Sequence, residues 1–179
     1  MKHLKFLAVV MLGGLILAGC KKKNNEEENE EELITTVNIK LTATGGATQT
    51  FRWKDVDGPG GNAPQISTIS IAPNTTYACA IEFLDESKTP AENITTEVEA
   101  EGTDHQVYYE VATAALTING LNTDAGGLPL GITSNWAAGT NSAGTVKITL
   151  KHKPGIKAAS DPVSKGETDV EITFPVVIQ

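Results

Sequence analysis

The C-terminal run Val170-Glu171-Ile172-Thr173-Phe174-Pro175-Val176-Val177-Ile178 sets the period on which the rest of the chain is read. Its apolar side chains recur at every second residue: Val170, Ile172, Phe174, Val176 and Ile178 share one side, and Glu171, Thr173 and Pro175 the other. A helix would scatter these five around its circumference, whereas an extended chain gathers them on one face. The stretch therefore predicts a half-buried antiparallel strand with its apolar face toward a core. Pro175 has no N–H to give to a ladder, so its outward position predicts that this strand runs along a sheet edge.

The same period governs the residues upstream. Val37, Ile39 and Leu41 alternate with Thr36, Asn38, Lys40 and Thr42; Phe51 and Trp53 alternate with Arg52 and Lys54; Tyr77, Cys79, Ile81 and Phe83 line one face of another strand. Weaker strands fit 69–72, 105–111, 116–118 and 146–152, with clusters of Gly, Asn, Pro and Asp between them. Short strands with turn-rich joints predict an all-β protein, an antiparallel β-sandwich of immunoglobulin-like type with about seven to eight strands. Residues 90–101 stand apart. Thr89 as N-cap, Pro90 at the first helical position, Glu92 as capping-box partner and Gly102 as a stop outline a short helix. Ile94, Thr96, Val98 and Ala100 also alternate as a strand would, and of the two readings the helix is favoured.

The N-terminus is built differently. Met1 to Cys20 has a basic start (Lys2, Lys5), an apolar middle from Phe6 to Ala18, and small residues before Cys20. The apolar run is shorter than the ~18 to 20 residues a membrane span needs, so it reads as a secretory signal. Leu17-Ala18-Gly19-Cys20 resembles the bacterial lipobox, which implies that residues 1–19 are removed and that Cys20 carries acyl chains. Residues 21–32 contain Lys21 to Lys23 and six glutamates but no apolar side chain, so they have nothing to bury and predict a disordered tether. The expected organisation is a signal peptide at 1–19, a lipid anchor and acidic tether at 20–32, and one domain at 33–179. Membrane attachment would run through the lipid.

Over 33–179 there are nine basic and 16 acidic residues, a balance that argues against nucleic acid as a partner. With Cys20 acylated, Cys79 is the sole remaining cysteine, so no intramolecular disulfide can form. The lipobox and acidic tether, Trp53-Lys54-Asp55-Val56-Asp57-Gly58, His105-Gln106-Val107-Tyr108-Tyr109, Leu128-Pro129-Leu130-Gly131 and Leu150-Lys151-His152-Lys153-Pro154 together resemble a group of small lipoproteins of Bacteroidota. The resemblance spans nearly the whole chain. It implies an outer-membrane-associated β-sandwich, in some cases encoded beside a TonB-dependent receptor, and it assigns no catalytic residue. Periplasmic and surface-exposed placement both stay open.

Individual residues were weighed for chemistry. Asp55, Asp57 and Gly60 match positions one, three and six of a calcium loop, but position twelve is Ile66 where a bidentate glutamate belongs. A tight turn is the simpler reading, and calcium the only cofactor the loop suggests. Residues 122–129 echo that loop in a second Asp- and Gly-rich turn. His105 and His152 each share a strand face with apolar residues; they are candidate metal or haem ligands, yet two imidazoles make an incomplete zinc site. Hydrogen-bonded histidines at the core margin are the plainer expectation. Cys79, between Tyr77 and Ile81 on its face, reads as a small buried hydrophobe.

No His-Glu-x-x-His, Cys-x-x-Cys or phosphate loop is present, and 139–144 lacks the glycine spacing of a nucleophile elbow, so an enzyme is not expected. Acids concentrate between Glu82 and Glu110, and bases between Lys147 and Lys165, which predicts solvated faces or an oriented docking surface. Trp136, in a glycine- and asparagine-rich stretch, is a candidate contact with a partner, or else a cap on the core. Two function classes follow: a lipid-anchored envelope binding or accessory module, serving for example an outer-membrane importer, and a structural envelope lipoprotein with no small ligand. Capture of metal or haem is a third reading of the histidines.

Overall fold

The computed structural model describes residues 33–58 and 60–179. The expected signal peptide, Cys20 anchor and tether lie outside them. Strands β1 (Thr36–Ala43) and β2 (Thr48–Lys54) form a hairpin, followed by β3 (Gln65–Ile66), β4 (Ile69–Ile71) and β5 (Thr76–Asp85). The two-residue β6 (Glu92–Asn93) leads into helix α1 (Ile94–Ala100). Strands β7 (His105–Ala112), β8 (Leu116–Asn119), β9 (Thr133–Ala138), β10 (Ser142–His152) and β11 (Glu167–Ile178) complete the chain. They make two sheets: a seven-stranded one ordered β3-β2-β1-β5-β9-β8 with β6 on the end of β5, and a four-stranded one ordered β4-β11-β10-β7. The protein is an all-β sandwich with one short helix, and its smallest strands carry the number beyond the seven to eight anticipated.

The terminal run behaves as its period demands. Val170, Ile172, Phe174, Val176 and Ile178 are all buried, and Glu171, Thr173 and Pro175 are exposed. Its place in the sheet differs from the expected edge. β11 lies between β10 and β4, with β4 pairing parallel along Val176 to Ile178. That pairing starts at Val176 opposite Ile69, the first residue of β4, so the proline falls before β4 begins and costs the ladder nothing there. β1 also departs from simple alternation. It is flanked by β2 and β5 at the middle of its sheet, and Thr36 and Asn38 are buried along with Val37, Ile39 and Leu41. Its outward polar side chains are tied across strands: Asn38 donates to Glu82 at 2.9 Å, and Lys40 pairs with Glu82 at 3.0 Å.

One apolar core lies between the sheets, drawn from β1, β5 and β9 on one side and β7, β10 and β11 on the other. Its large rings satisfy their polar atoms inside it. The Tyr109 hydroxyl donates to the Gly131 carbonyl at 2.6 Å, and Tyr77 accepts from the Ala72 amide at 2.9 Å. Gly131 must be glycine: its φ is +85°, and a Cβ there would come within 2.8 Å of the Val107 carbonyl oxygen.

The helix forms as favoured over 90–101, but it starts later than Thr89 and Pro90 suggest. Asn93 is the N-cap, its side chain accepting from the Thr95 amide at 3.1 Å. Glu92 pairs with Asp85 in β6 instead of closing a capping box. Ile94 and Val98, one turn apart, bury one face of the helix. Thr95 joins it to the sheet, accepting from the Phe83 amide at 2.8 Å and donating to the Phe83 carbonyl at 3.2 Å.

Candidate functional site

At the end of the four-stranded sheet where β7 begins, β10 ends and β11 begins, the pairing register sets His105 directly opposite His152, and His152 opposite Glu167. The two imidazoles stack with ring centroids 4.7 Å apart and planes 16° from parallel. His105 is buried and His152 half-buried. The His105 Nδ1 lies 3.2 Å from the Glu101 carbonyl oxygen. A carbonyl can only accept, so this contact is a hydrogen bond when Nδ1 carries the hydrogen. Burial holds the His105 pKa below its ordinary value, partly opposed by the bond to Glu101. Asp169 Oδ2 stands 3.9 Å from His105 Nε2. Asp169 is the extra residue of a β-bulge, where the β10–β11 register shifts between Leu150 and Lys151, and the bulge turns its carboxylate toward the histidine.

Glu101 completes the corner. Ligand atoms of Glu101, His105 and His152 all lie within 4.8 Å of one another, the one group of three such side chains among the described residues. Along the chain the two histidines stand as an incomplete pair without an evident acidic partner. Glu101 is that partner: it caps the C-terminus of α1, and the turn at 101–104 folds it back over His105 four residues later.

The loop from Lys153 to Gly166 holds the corner from behind. Gly166 (φ +84°) brings the chain so close to the His152 carbonyl oxygen that a Cβ would sit 2.4 Å from it. Lys153, fully buried, donates to Gln106 at 3.2 Å and to the Tyr108 hydroxyl, and lies 4.6 Å over the Tyr108 ring. Burial lowers its pKa, and Asp161, 3.8 Å away, works against that. Lys157 is buried against Asp124 at 2.6 Å and donates to the Gly102 carbonyl at 2.7 Å. Of the five bases between Lys147 and Lys165, Lys151, Lys153 and Lys157 turn inward and hold loops and strands together, while Lys147 and Lys165 are partly exposed and pair with carboxylates.

The remaining candidates take structural places. Asp55 accepts from the Gly58 amide at 3.0 Å, and Asp57 accepts from the Asn62 amide at 2.9 Å and from its side chain at 2.6 Å. Both carboxylates thus close their own turn. The echoing turn at 122–129 is closed by Asp124 in the same manner, through the Gly126 and Leu128 amides. Trp136 is not a surface contact. It is wholly buried in β9, meets Tyr109 edge to face at 6.1 Å, and donates its indole N–H to Ser134 at 3.0 Å. Cys79 is buried beside Ser134, and burial pushes its thiol up to about 12.

A cleft of about 560 Å³ opens beside the corner, with Leu33, Trp53 and Val56 as apolar lining and Asp57, Asp169 and Glu171 among its carboxylates. Asp169 belongs both to this cleft and to the His105 corner. No helix among the described residues is long and apolar enough to cross a membrane. No known protein family, curated protein or solved structure matches the chain. What the geometry defines is an all-β two-sheet scaffold with ligand-type side chains gathered at one end.

Proposed function

We propose that the protein is a lipid-anchored binding or accessory module of the cell envelope, attached to the outer membrane through Cys20 and serving an outer-membrane importer without catalysing a reaction. The observation that carries this reading is the shared Asp169. One end of a rigid sandwich joins a cleft of ligand size to a cluster of two imidazoles and a carboxylate. The side chains there are ligand types, and the buried thiol of Cys79, far from a reactive state at neutral pH, is not among them. The acidic lining favours a cationic ligand or a basic partner surface over an anion. The lipobox and polar tether support an anchored module, and the resemblance to Bacteroidota lipoproteins supports a receptor as partner.

Affinity capture of the tagged, lipidated chain from native membranes tests the reading. Stoichiometric recovery of one outer-membrane receptor, lost when Asp169 and Glu171 are changed to lysine, is expected. Recovery of no membrane protein above the level seen with an unrelated lipoprotein would favour a structural envelope role.

A further inference from the structure

We propose that Glu101, His105 and His152 form a binding site for one divalent transition-metal ion of the zinc class. The inference rests on the binding-module reading for its biological sense, but its geometry stands alone. Two imidazole nitrogens and one carboxylate oxygen are a ligand set that zinc takes in sites with an open fourth position. Imidazole selects against calcium and magnesium, which prefer all-oxygen shells.

Three features of the corner go beyond proximity. First, His105 is held on both sides: its Nδ1 lies 3.2 Å from the Glu101 carbonyl oxygen and its Nε2 3.9 Å from Asp169 Oδ2, contacts of the kind that set the ring direction of metal-bound histidines. Second, the ligands come from three different elements whose positions are set by the fold. Glu101 ends α1, His105 begins β7, His152 ends β10, and the β7–β10 register places the two histidines side by side. Third, carboxylates surround the corner. Asp169 lies 3.9 Å from His105 Nε2, Glu167 is the cross-strand neighbour of His152, and the acidic cleft adjoins. This charge draws cations toward it.

The ligand atoms now lie within 4.8 Å of one another, whereas two nitrogens bound at ~2.0 to 2.1 Å to one tetrahedral zinc stand about 3.3 Å apart. His105 is buried, so closure falls to His152 and Glu101, which are half-buried and exposed. Binding thus breaks the ring stacking and brings the His152 ring and the Glu101 carboxylate onto the ion beside His105.

Titration of ZnCl2 into the purified full chain, followed by calorimetry and by thermal unfolding, tests the site. One equivalent should bind with a rise in melting temperature. His152→Ala and Glu101→Gln, both at accessible positions, should weaken binding tenfold or more while leaving the metal-free melting temperature within a few degrees. His105→Ala is avoided because its ring is buried. Glu110→Gln, an exposed carboxylate near the far end of β7, should leave zinc affinity unchanged, and excess CaCl2 should not displace the zinc. Undiminished binding in His152→Ala or Glu101→Gln, the absence of a saturable event, or displacement by calcium would each overturn the proposal. Failure here with a receptor still recovered by affinity capture would leave the binding-module reading intact; zinc binding without a receptor would do the reverse.

Discussion

Asp124 and Lys157 show at the scale of single residues how this sandwich is fastened. Their side chains meet at 2.6 Å and are almost wholly buried, so each is the other's substitute for water. Truncating Lys157 to alanine strands the Asp124 charge in that setting and should cost about 3 to 5 kcal/mol in urea unfolding. A loss below ~1 kcal/mol would mean that the pair is solvated in solution. The pH dependence follows from Asp124. Burial acts to raise its pKa, but the Lys157 ammonium and the Leu128 and Gly126 amides outweigh it, and the net direction is below 3.8. As pH falls, the unfolded chain is protonated first. The stability from this group is therefore complete above about pH 5 and is lost as pH drops through 3.8 to the folded value. Lys157→Ala should show a shallower loss over that window. Neither this pair nor the stacking of His105 on His152 is legible along the chain, because both depend on which strands and loops become neighbours. Glu101 differs: at four residues before His105 it was within local reach, and only the turn at 101–104 had to be recognised.

Among the elements, β11 is the clearest case of pattern dictating structure. Phe174 is fully buried between strands that continue the core, and Thr173 faces outward. Phe174→Ala should cost about 3 to 5 kcal/mol through lost burial and the cavity left behind. Thr173→Ala should stay under ~1 kcal/mol, as exposed substitutions do. Similar losses at both positions, measured by denaturant unfolding, would contradict a strand buried on one face. Strands with large apolar residues at every second position, β1, β5 and β11, were legible for this reason. β9 was not. Its inward residues are Ser134, Trp136 and Ala138, two of them too small to mark a face, so the stretch reads as a loop and leaves its tryptophan open between a partner contact and a cap on the core. In the fold that ring fills the space its small neighbours leave. The helix start was misplaced by a related ambiguity. Thr89-Pro90 and Asn93 both offer capping chemistry, and pairing of Glu92–Asn93 with the end of β5 selects the later one.

At the scale of the whole molecule, the fold class was legible because a period of two recurs along most of the domain, whereas strand order was not, since it is set by non-local pairing. The β4 contact that removes β11 from the edge joins residues about a hundred positions apart. The working corner inherits that non-locality: it exists only when α1, β7, β10 and the bulge of β11 are assembled together. In the proposed role a lipid tether would hold the sandwich near the membrane and raise the effective concentration of any receptor there. The most direct measurement is the partition of Cys20→Ser between membrane and soluble fractions of the cell, compared with the native chain. The account predicts that the native chain stays with the membranes after a high-salt wash and that Cys20→Ser appears in the soluble fraction as a folded domain. Retention of Cys20→Ser in the membrane fraction at the native level would contradict it.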